Sequence, residues 1–170
     1  MAIQMIFCLE TNSRSNTDYI YIKETLNYLY QINNQIKINP VYMDGKNKYQ
    51  TKGVLREIAQ KIKAYTIGRS VVFYCVDTDD YDKNTEHAKE FHDIQQFCKN
   101  NGYKLIWFCH DIEEVFQGKK ISDSQKVREA GVFRDKNRIE EIPLERLMQK
   151  TVKPNTSNIV YILDQYLKRK

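Results

Sequence analysis

The chain has 170 residues, with 27 Lys and Arg against 22 Asp and Glu, which gives a formal net charge of +5. This length is sufficient for one compact domain with its own hydrophobic core, so no disulfide scaffold is needed. No two of the four cysteines have the C-x-x-C spacing of a redox or zinc site, and no run of eighteen apolar residues occurs. We therefore expect a soluble, cytoplasmic protein with reduced cysteines and no membrane partner.

In residues 1–117, apolar segments typical of buried strands alternate with amphipathic helices. The predicted strands cover residues 3–9, 36–43, 70–76 and 104–109, and a helix is predicted in each interval between them. This alternation predicts an α/β core with a four-stranded, mostly parallel, Rossmann-like sheet and helices on both faces. Pro40 favours either an edge position or a bulge for the second strand, and Gly68 is expected to end the second helix in the left-handed conformation.

Residues 118–170 are predicted to form a basic helical extension that packs on the same domain. Ser122 and Gln125 have the spacing of a capping box, and a last helix is expected over residues 159–167. From residue 117 onward the chain has thirteen Lys and Arg against seven Asp and Glu. A basic segment suits a polyanion such as nucleic acid, because each neutralised phosphate releases a counterion.

Five basic side chains of this extension are the candidate contacts to nucleic acid. They are Lys119, Lys120, Arg128, Arg134 and Arg138. The alternative is that some of them pair with Glu129, Glu140 or Glu141 on helix faces. The charge pattern alone does not decide between these two interpretations.

Carboxylates follow three of the four predicted strands. Glu10 follows the first strand, Asp77, Asp79 and Asp80 follow the third, and Glu113 and Glu114 follow the fourth. The carboxyl ends of parallel strands meet at one edge of the sheet, where ligands bind, and side chains two apart on a strand leave it on the same face. Clustered oxygens suit a hard divalent cation, Mg²⁺ or Mn²⁺. The alternative is that these acids are ordinary turn and cap residues.

The acids can be assigned chemical roles in phosphodiester cleavage or transfer. The candidate catalytic residues are Glu10, Asp77, Asp79 and Glu113, and the candidate metal ligands are the same four with Asp80. Asp77 and Asp79 can hold the ion, while Glu10 can either share it or act as a general base. Glu113 is favoured over Glu114 to face the centre, although such a pair also suits a helix dipole.

The three histidines give a weaker signal. His110 lies beside the predicted centre and can be an acid, a phosphate contact or a structural residue. His87 and His92 are five residues apart on a predicted helix, which is not the spacing of an H-E-x-x-H zinc pair. We therefore expect His87 and His92 on the surface.

This order of strands and acids resembles the Toprim domain, which topoisomerases, bacterial primases and small nucleases of bacterial defence loci share. The chain is most similar to the RloB-like Toprim proteins of restriction and abortive-infection loci, and the resemblance covers roughly residues 3–117. The matching motifs are Glu10, the helix start Thr17-Asp18-Tyr19, the strand end Asp77-Thr78-Asp79-Asp80, and Ile112-Glu113 with Phe116. The chain departs from the family at Thr11, where a glycine is common, and at His110-Asp111, where asparagine-proline often stands.

The resemblance implies a Toprim-like fold with Mg²⁺ held by Glu10, Asp77 and Asp79. It implies a nuclease, or a related phosphotransfer enzyme, that acts on DNA or RNA in a bacterial defence or toxin setting, with a partner protein from a defence locus as a further expectation. The alternative is a non-catalytic Toprim-like or flavodoxin-like module that binds a nucleotide or a partner protein.

Overall fold

A computed structural model describes residues 1–170 and contains one five-stranded sheet with the strand order β2-β1-β3-β4-β5. The strands are β1 (Ile3–Leu9), β2 (Ile36–Tyr42), β3 (Arg69–Asp77), β4 (Lys104–Cys109) and β5 (Thr156–Ser157). Strands β1 to β4 are parallel, and β5 pairs antiparallel with β4. The predicted α/β class and the mostly parallel sheet are confirmed, as is the edge position of β2, which contains Pro40.

The predicted number of four strands is wrong, because the C-terminal segment adds β5 to the free edge of β4. This strand has only two residues, too few for a periodic pattern in the sequence. Side chains complete the pairing. Ser157 Oγ donates to the Trp107 carbonyl at 2.7 Å. The Asn158 side chain makes two hydrogen bonds to the backbone of β4, one to each neighbour of Ile106. Asn158 Oδ1 accepts from the Trp107 amide and its Nδ2 donates to the Leu105 carbonyl, both at 2.9 Å.

Helices cover both faces of the sheet, as predicted. They are α1 (Thr17–Leu29), α2 (Lys52–Ala64), α3 (Thr85–Asn101), α4 (Ile112–Gln117), α5 (Lys126–Asp135) and α6 (Ile159–Leu163). Because side chains alternate along β1, Phe7 packs in the core cluster that contains α1, α4, α5 and α6, whereas Ile6 and Cys8 pack in the cluster that contains α2 and α3. None of these helices has both the length and the hydropathy required to cross a bilayer.

The C-terminal segment shares the first of these two cores. Phe133 of α5 packs with Tyr21 of α1, their ring centroids 5.0 Å apart, and Phe116 of α4 stacks on Tyr21 at 5.1 Å. The segment is less helical than predicted, since α6 ends at Leu163 and three short 3-10 turns lie between α4 and β5. These turns are Asp123–Gln125, Arg138–Glu141 and Leu144–Leu147.

Two predicted helix-end details are wrong. The Ser122 side chain makes no capping bond, and only its carbonyl accepts from the Gln125 amide at 2.9 Å. Helix α2 ends at Ala64, so Gly68 is not its left-handed terminus. Left-handed helix ends occur instead at Gly102 and Gly118, which follow α3 and α4 with φ values of 69° and 72°.

Gly68 is required for a close approach of two backbone segments. A Cβ atom at this position would lie 2.0 Å from the carbonyl oxygen of Ala2, which accepts from the Arg69 amide at 3.3 Å. The start of β3 therefore packs against the N-terminal residues at a distance that only glycine allows.

We expect Gly68→Ala to lower the free energy of unfolding by about 1–3 kcal/mol, because the backbone must move to make room for the methyl group. Gly53→Ala is the matched control, since Gly53 lies in α2 and a Cβ added there would have no other atom within 4 Å. The control should be neutral or stabilising by up to about 1 kcal/mol. Urea unfolding of both variants measures the difference, and equal stability of Gly68→Ala and the wild type would contradict the close approach.

Candidate metal centre

Glu10 and Asp77 leave the sheet at the same edge because β1 and β3 are adjacent parallel strands. Leu9 lies opposite Cys75, so the next residues of each strand emerge together. The Asp77 amide donates to Glu10 Oε1 at 2.6 Å, and Asp77 Oδ1 accepts from the Ile112 amide at 3.0 Å. The Glu10 carboxylate is thus held by the backbone of β3, and the Asp77 carboxylate by the start of α4.

Asp79 lies beyond the end of β3 in a segment that stays bonded to β4. The amides of Thr78 and Asp79 donate to the carbonyls of Phe108 and His110, both at 2.9 Å. Asp79 has a left-handed backbone with a φ of 48°, and its side chain is 43% exposed. The turn therefore brings the second aspartate of the D-x-D motif to the same edge while leaving it open to solvent.

The ammonium group of Lys46 lies among these acids, and no sequence motif pointed to it. Lys46 begins the 3-10 turn Lys46–Lys48 and is only 7% exposed. Its Nζ donates to the Asp77 carbonyl at 2.9 Å and to Asp79 Oδ2 at 2.5 Å, and it lies 3.5 Å from Glu90 Oε1. The sequence did contain one indication of this role. Lys46 follows β2 closely, and β2 is the parallel neighbour of β1, so both strands end at the same edge of the sheet.

Two further buried acids lie next to Asp77. Asp18, in the first turn of α1, is 8% exposed and accepts from the Thr11 amide at 3.3 Å. Glu113 of α4 is 1% exposed, and its Oε2 lies 3.2 Å from Lys126 Nζ without a hydrogen bond of acceptable geometry. Asp18 was not predicted as a site residue, although its place shortly after Glu10 was a usable signal.

Burial of these groups, and to a smaller extent their mutual repulsion, favours their protonated forms. Burial raises the pKa of Glu10 to about 8, and the nearby Lys46 charge opposes this only in part. Burial and the Glu10 charge raise the pKa of Asp77 well above its usual value. Burial also raises the pKa of Asp18 to about 6 and that of Glu113 to about 7. A positive charge beside these acids would therefore be needed to favour their ionised forms.

The remaining acids after β3 and β4 have other positions. Asp80 is exposed, and its carbonyl accepts from the Lys83 and Asn84 amides at the start of α3. Glu114 Oε2 accepts from the His110 amide at 3.1 Å and lies 3.3 Å from His110 Nδ1. Glu113 and Glu114 therefore point to different surroundings, and Glu113 is the one beside Asp77 and Asp18.

A cleft of about 250 Å³ adjoins the centre and combines acidic and basic side chains. Its polar lining consists of Asp79, Asp80, His87, His110, Asp111, Glu114, Lys120, Asp123 and Lys126. The expectation that His92 is exposed is confirmed, but His87 is half-buried and its Nδ1 has no hydrogen-bond partner. The helix pattern could not predict this, because the loop after α4 meets the first turn of α3 at this cleft only in the folded chain.

The five candidate nucleic-acid contacts have different partners, although the charges of Lys119, Arg128 and Arg138 all act to lower the pKa of Glu129. Of these five, Lys120 is the residue that lines the cleft, and Lys119 beside it is exposed. Arg128 pairs with Glu129 at 2.9 Å, as the alternative interpretation allowed, and Arg134 pairs with Asp135 at 2.9 Å. The fifth, Arg138, is half-buried and its Nη1 donates to Gln117 Oε1 at 3.5 Å.

The donor set at the edge consists of carboxylate oxygens, which fits a hard divalent cation. The unbonded Glu113 oxygen is a further buried acceptor without a hydrogen-bond donor. No group of three or more His, Cys, Asp or Glu side chains is already arranged around a common metal position. Comparison with protein-family models, with curated proteins and with solved structures gives no match.

We expect the metal-free protein to lose stability as the pH rises from about 4.5 to about 8, which spans the usual and the raised pKa of Glu10. The sign follows because the folded state keeps protons on these acids that the unfolded state releases in this range. Urea unfolding in a chelating buffer at several pH values measures the effect.

Glu10→Gln should flatten this profile, since glutamine keeps the acceptor for the Asp77 amide but does not ionise. Glu57→Gln, which changes a glutamate of α2 that pairs with Lys61, should leave the profile unchanged. Parallel profiles for Glu10→Gln and the wild type would contradict the buried, protonated state of Glu10.

Proposed function

We propose that this chain is a nuclease of the Toprim type, dependent on Mg²⁺ or Mn²⁺, that cleaves phosphodiester bonds in nucleic acid. The observation that supports it most is the position of Glu10, Asp77 and Asp79 at the carboxyl edge of neighbouring parallel strands, with the buried acids Asp18 and Glu113 near Asp77. The Toprim resemblance, the similarity to RloB-like proteins and the role in bacterial defence belong to this proposal.

Glu10, Asp77 and Asp79 would hold the cation, with Asp80 and Glu113 as further oxygen donors nearby. When bound, a divalent cation supplies positive charge that neutralises the charge developing on the phosphate. Asp79 is the most open of the three strand-end acids to solvent, and it lines the cleft through which a phosphate can approach.

The protein's own groups have distinct roles in this proposal. Glu10 would either share the cation or act as the general base, and its pKa, which burial raises to about 8 in the metal-free centre, lies close to the neutral range that a general base requires. Lys120 and Lys126 line the cleft, where their ammonium groups can bind phosphate oxygens. Lys126 also pairs with Glu113, which fixes its position relative to the buried acids.

We expect the purified protein to cleave single-stranded or double-stranded DNA or RNA in Mn²⁺ or Mg²⁺, and to be inactive with EDTA. Glu10→Gln and Asp77→Asn should reduce the cleavage rate by at least about a hundredfold, the usual size of an acid–base contribution. Asp77→Asn should also abolish divalent-ion binding while leaving the metal-free fold intact or slightly stabilised, since it removes one of several repelling charges.

The control is Asp93→Asn, which changes an aspartate of α3 whose side chain is 41% exposed and pairs with Lys89. It should leave cleavage and ion binding unchanged. A stabilisation of Asp77→Asn by Mn²⁺ as large as that of the wild type would contradict the metal centre. Ion binding and nucleic-acid binding without cleavage of any substrate would instead favour the non-catalytic module.

Lys119 and Lys120 provide a separate test of nucleic-acid binding. Reversing both charges with Lys119→Glu and Lys120→Glu should weaken binding to all sequences and flatten the log–log salt dependence of affinity by about one unit per lost phosphate contact. Fluorescence anisotropy with labelled DNA and RNA at several salt concentrations measures both effects.

The matched control reverses two exposed lysines of α2, Lys52 and Lys63. This double variant should retain the wild-type slope. Intact affinity and an unchanged slope in the Lys119 and Lys120 variant would assign the basic segment to the solvated surface and favour binding of a partner protein.

A further inference from the structure

Lys46 is the most deeply buried cationic side chain of the molecule, and it lies among the acids at the carboxyl edge of the sheet. Its ammonium group contacts one carbonyl and two carboxylates, those of Asp77, Asp79 and Glu90. Burial opposes the charged form of Lys46, yet the charges of Glu10 and Asp79 raise its pKa overall, so the side chain remains an ammonium ion. The centre therefore already contains a cation of its own.

We propose that Lys46 is the resident cation of the metal-free centre and that a divalent cation competes with it for Asp79. The proposal depends on the metal centre described above. Asp79 Oδ2 accepts from Lys46 Nζ at 2.5 Å, so a metal ion that bound this oxygen would lie close to the ammonium group, whereas a metal ion held by Asp79 Oδ1 with the Lys46 contact intact is the outcome that would overturn the proposal. Two positive charges at one oxygen also repel each other strongly in a poorly solvated site.

The structure contains a second position for the ammonium group. Glu90, on α3, has its Oε1 3.5 Å from Lys46 Nζ and is not one of the proposed metal ligands. A small rotation of the long lysine side chain can exchange Asp79 for Glu90 while the bond to the Asp77 carbonyl is kept. The exchange would free Asp79 for the metal ion without leaving a buried charge unpaired, which would be costly.

A purely structural ion pair would behave differently. In that case, removing Lys46 would destabilise the protein to the same extent with and without divalent ions. Competition instead requires that removing Lys46 destabilises the metal-free protein and at the same time strengthens ion binding. The sign of the change in affinity therefore distinguishes the two interpretations.

The test compares Mn²⁺ binding to the wild type, Lys46→Met and Lys48→Met by isothermal titration calorimetry and by the electron paramagnetic resonance of free Mn²⁺. Lys48 is the matched control because it lies in the same turn, is 47% exposed and pairs with Asp44. We expect Lys46→Met to lower the Mn²⁺ dissociation constant by about tenfold or more, equivalent to about 1.4 kcal/mol. Without metal, the melting temperature of Lys46→Met should be lower than that of the wild type. On addition of Mn²⁺, it should increase by more than that of the wild type does.

Equal or weaker Mn²⁺ binding by Lys46→Met would overturn the competition while leaving the metal centre in place. Absence of Mn²⁺ binding in both proteins would overturn the competition and the proposed function together. Binding by Lys46→Met alone would support the competition in its strongest form. Each result is independent of whether any substrate is cleaved.

A second measurement uses the wild type and does not depend on the folding of a variant. In a crystal structure of the wild type soaked in Mn²⁺, we expect Lys46 Nζ to have left Asp79 Oδ2 and to lie within hydrogen-bond distance of Glu90. An ion bound at Glu10 and Asp77 with the Lys46–Asp79 contact intact would overturn the proposal. If Lys46→Met does not fold, Lys46→Gln replaces it in the titrations, because glutamine can still donate to the Asp77 carbonyl.

Discussion

Burial of several carboxylates at one edge of the sheet is the constraint on which the rest of this structure depends. Each buried acid must be protonated, hydrogen-bonded or paired, because an isolated charge in a poorly solvated environment is strongly unfavourable. The backbone meets part of this requirement, since the amides of Asp77 and Ile112 donate to Glu10 and Asp77. Two lysines meet another part, Lys46 from the loop after β2 and Lys126 from α5.

These compensating groups come from opposite faces of the sheet. Lys46 follows the edge strand β2, and its acceptor Glu90 belongs to α3. Lys126 belongs to the C-terminal segment, whose helix α5 packs on α1. The core therefore does more than exclude water, because its packing determines the distance from each ammonium group to the acids. A change in the packing of α5 would alter the distance from Lys126 to Glu113 and thereby the charge near Asp77.

The raised pKa values of the buried acids distinguish this centre from an ordinary set of turn and cap residues. A purely structural set of acids would be expected to have ordinary pKa values and hydrogen-bonded oxygens, whereas Glu10 has a pKa raised to about 8 and Glu113 Oε2 has only its ion pair with Lys126. The adjacent cleft combines this edge with the ammonium groups of Lys120 and Lys126, so anionic ligands and cations can meet there. These features are the basis of the proposed metal-dependent reaction at a phosphate.

The sequence by itself determined the order of strands and helices, the two-faced parallel sheet and the position of Glu10 and Asp77 at strand ends. Local patterns decide these features, because burial on both faces requires continuous apolar strands and parallel strands require crossover helices. Only the tertiary structure decided the partners of those acids. Lys46 lies thirty-one residues before Asp77 and Lys126 thirteen after Glu113. Their approach depends on strand order and on the packing of the C-terminal segment, which no local spacing expresses, and the same holds for β5 and for the contact of Gly68 with Ala2.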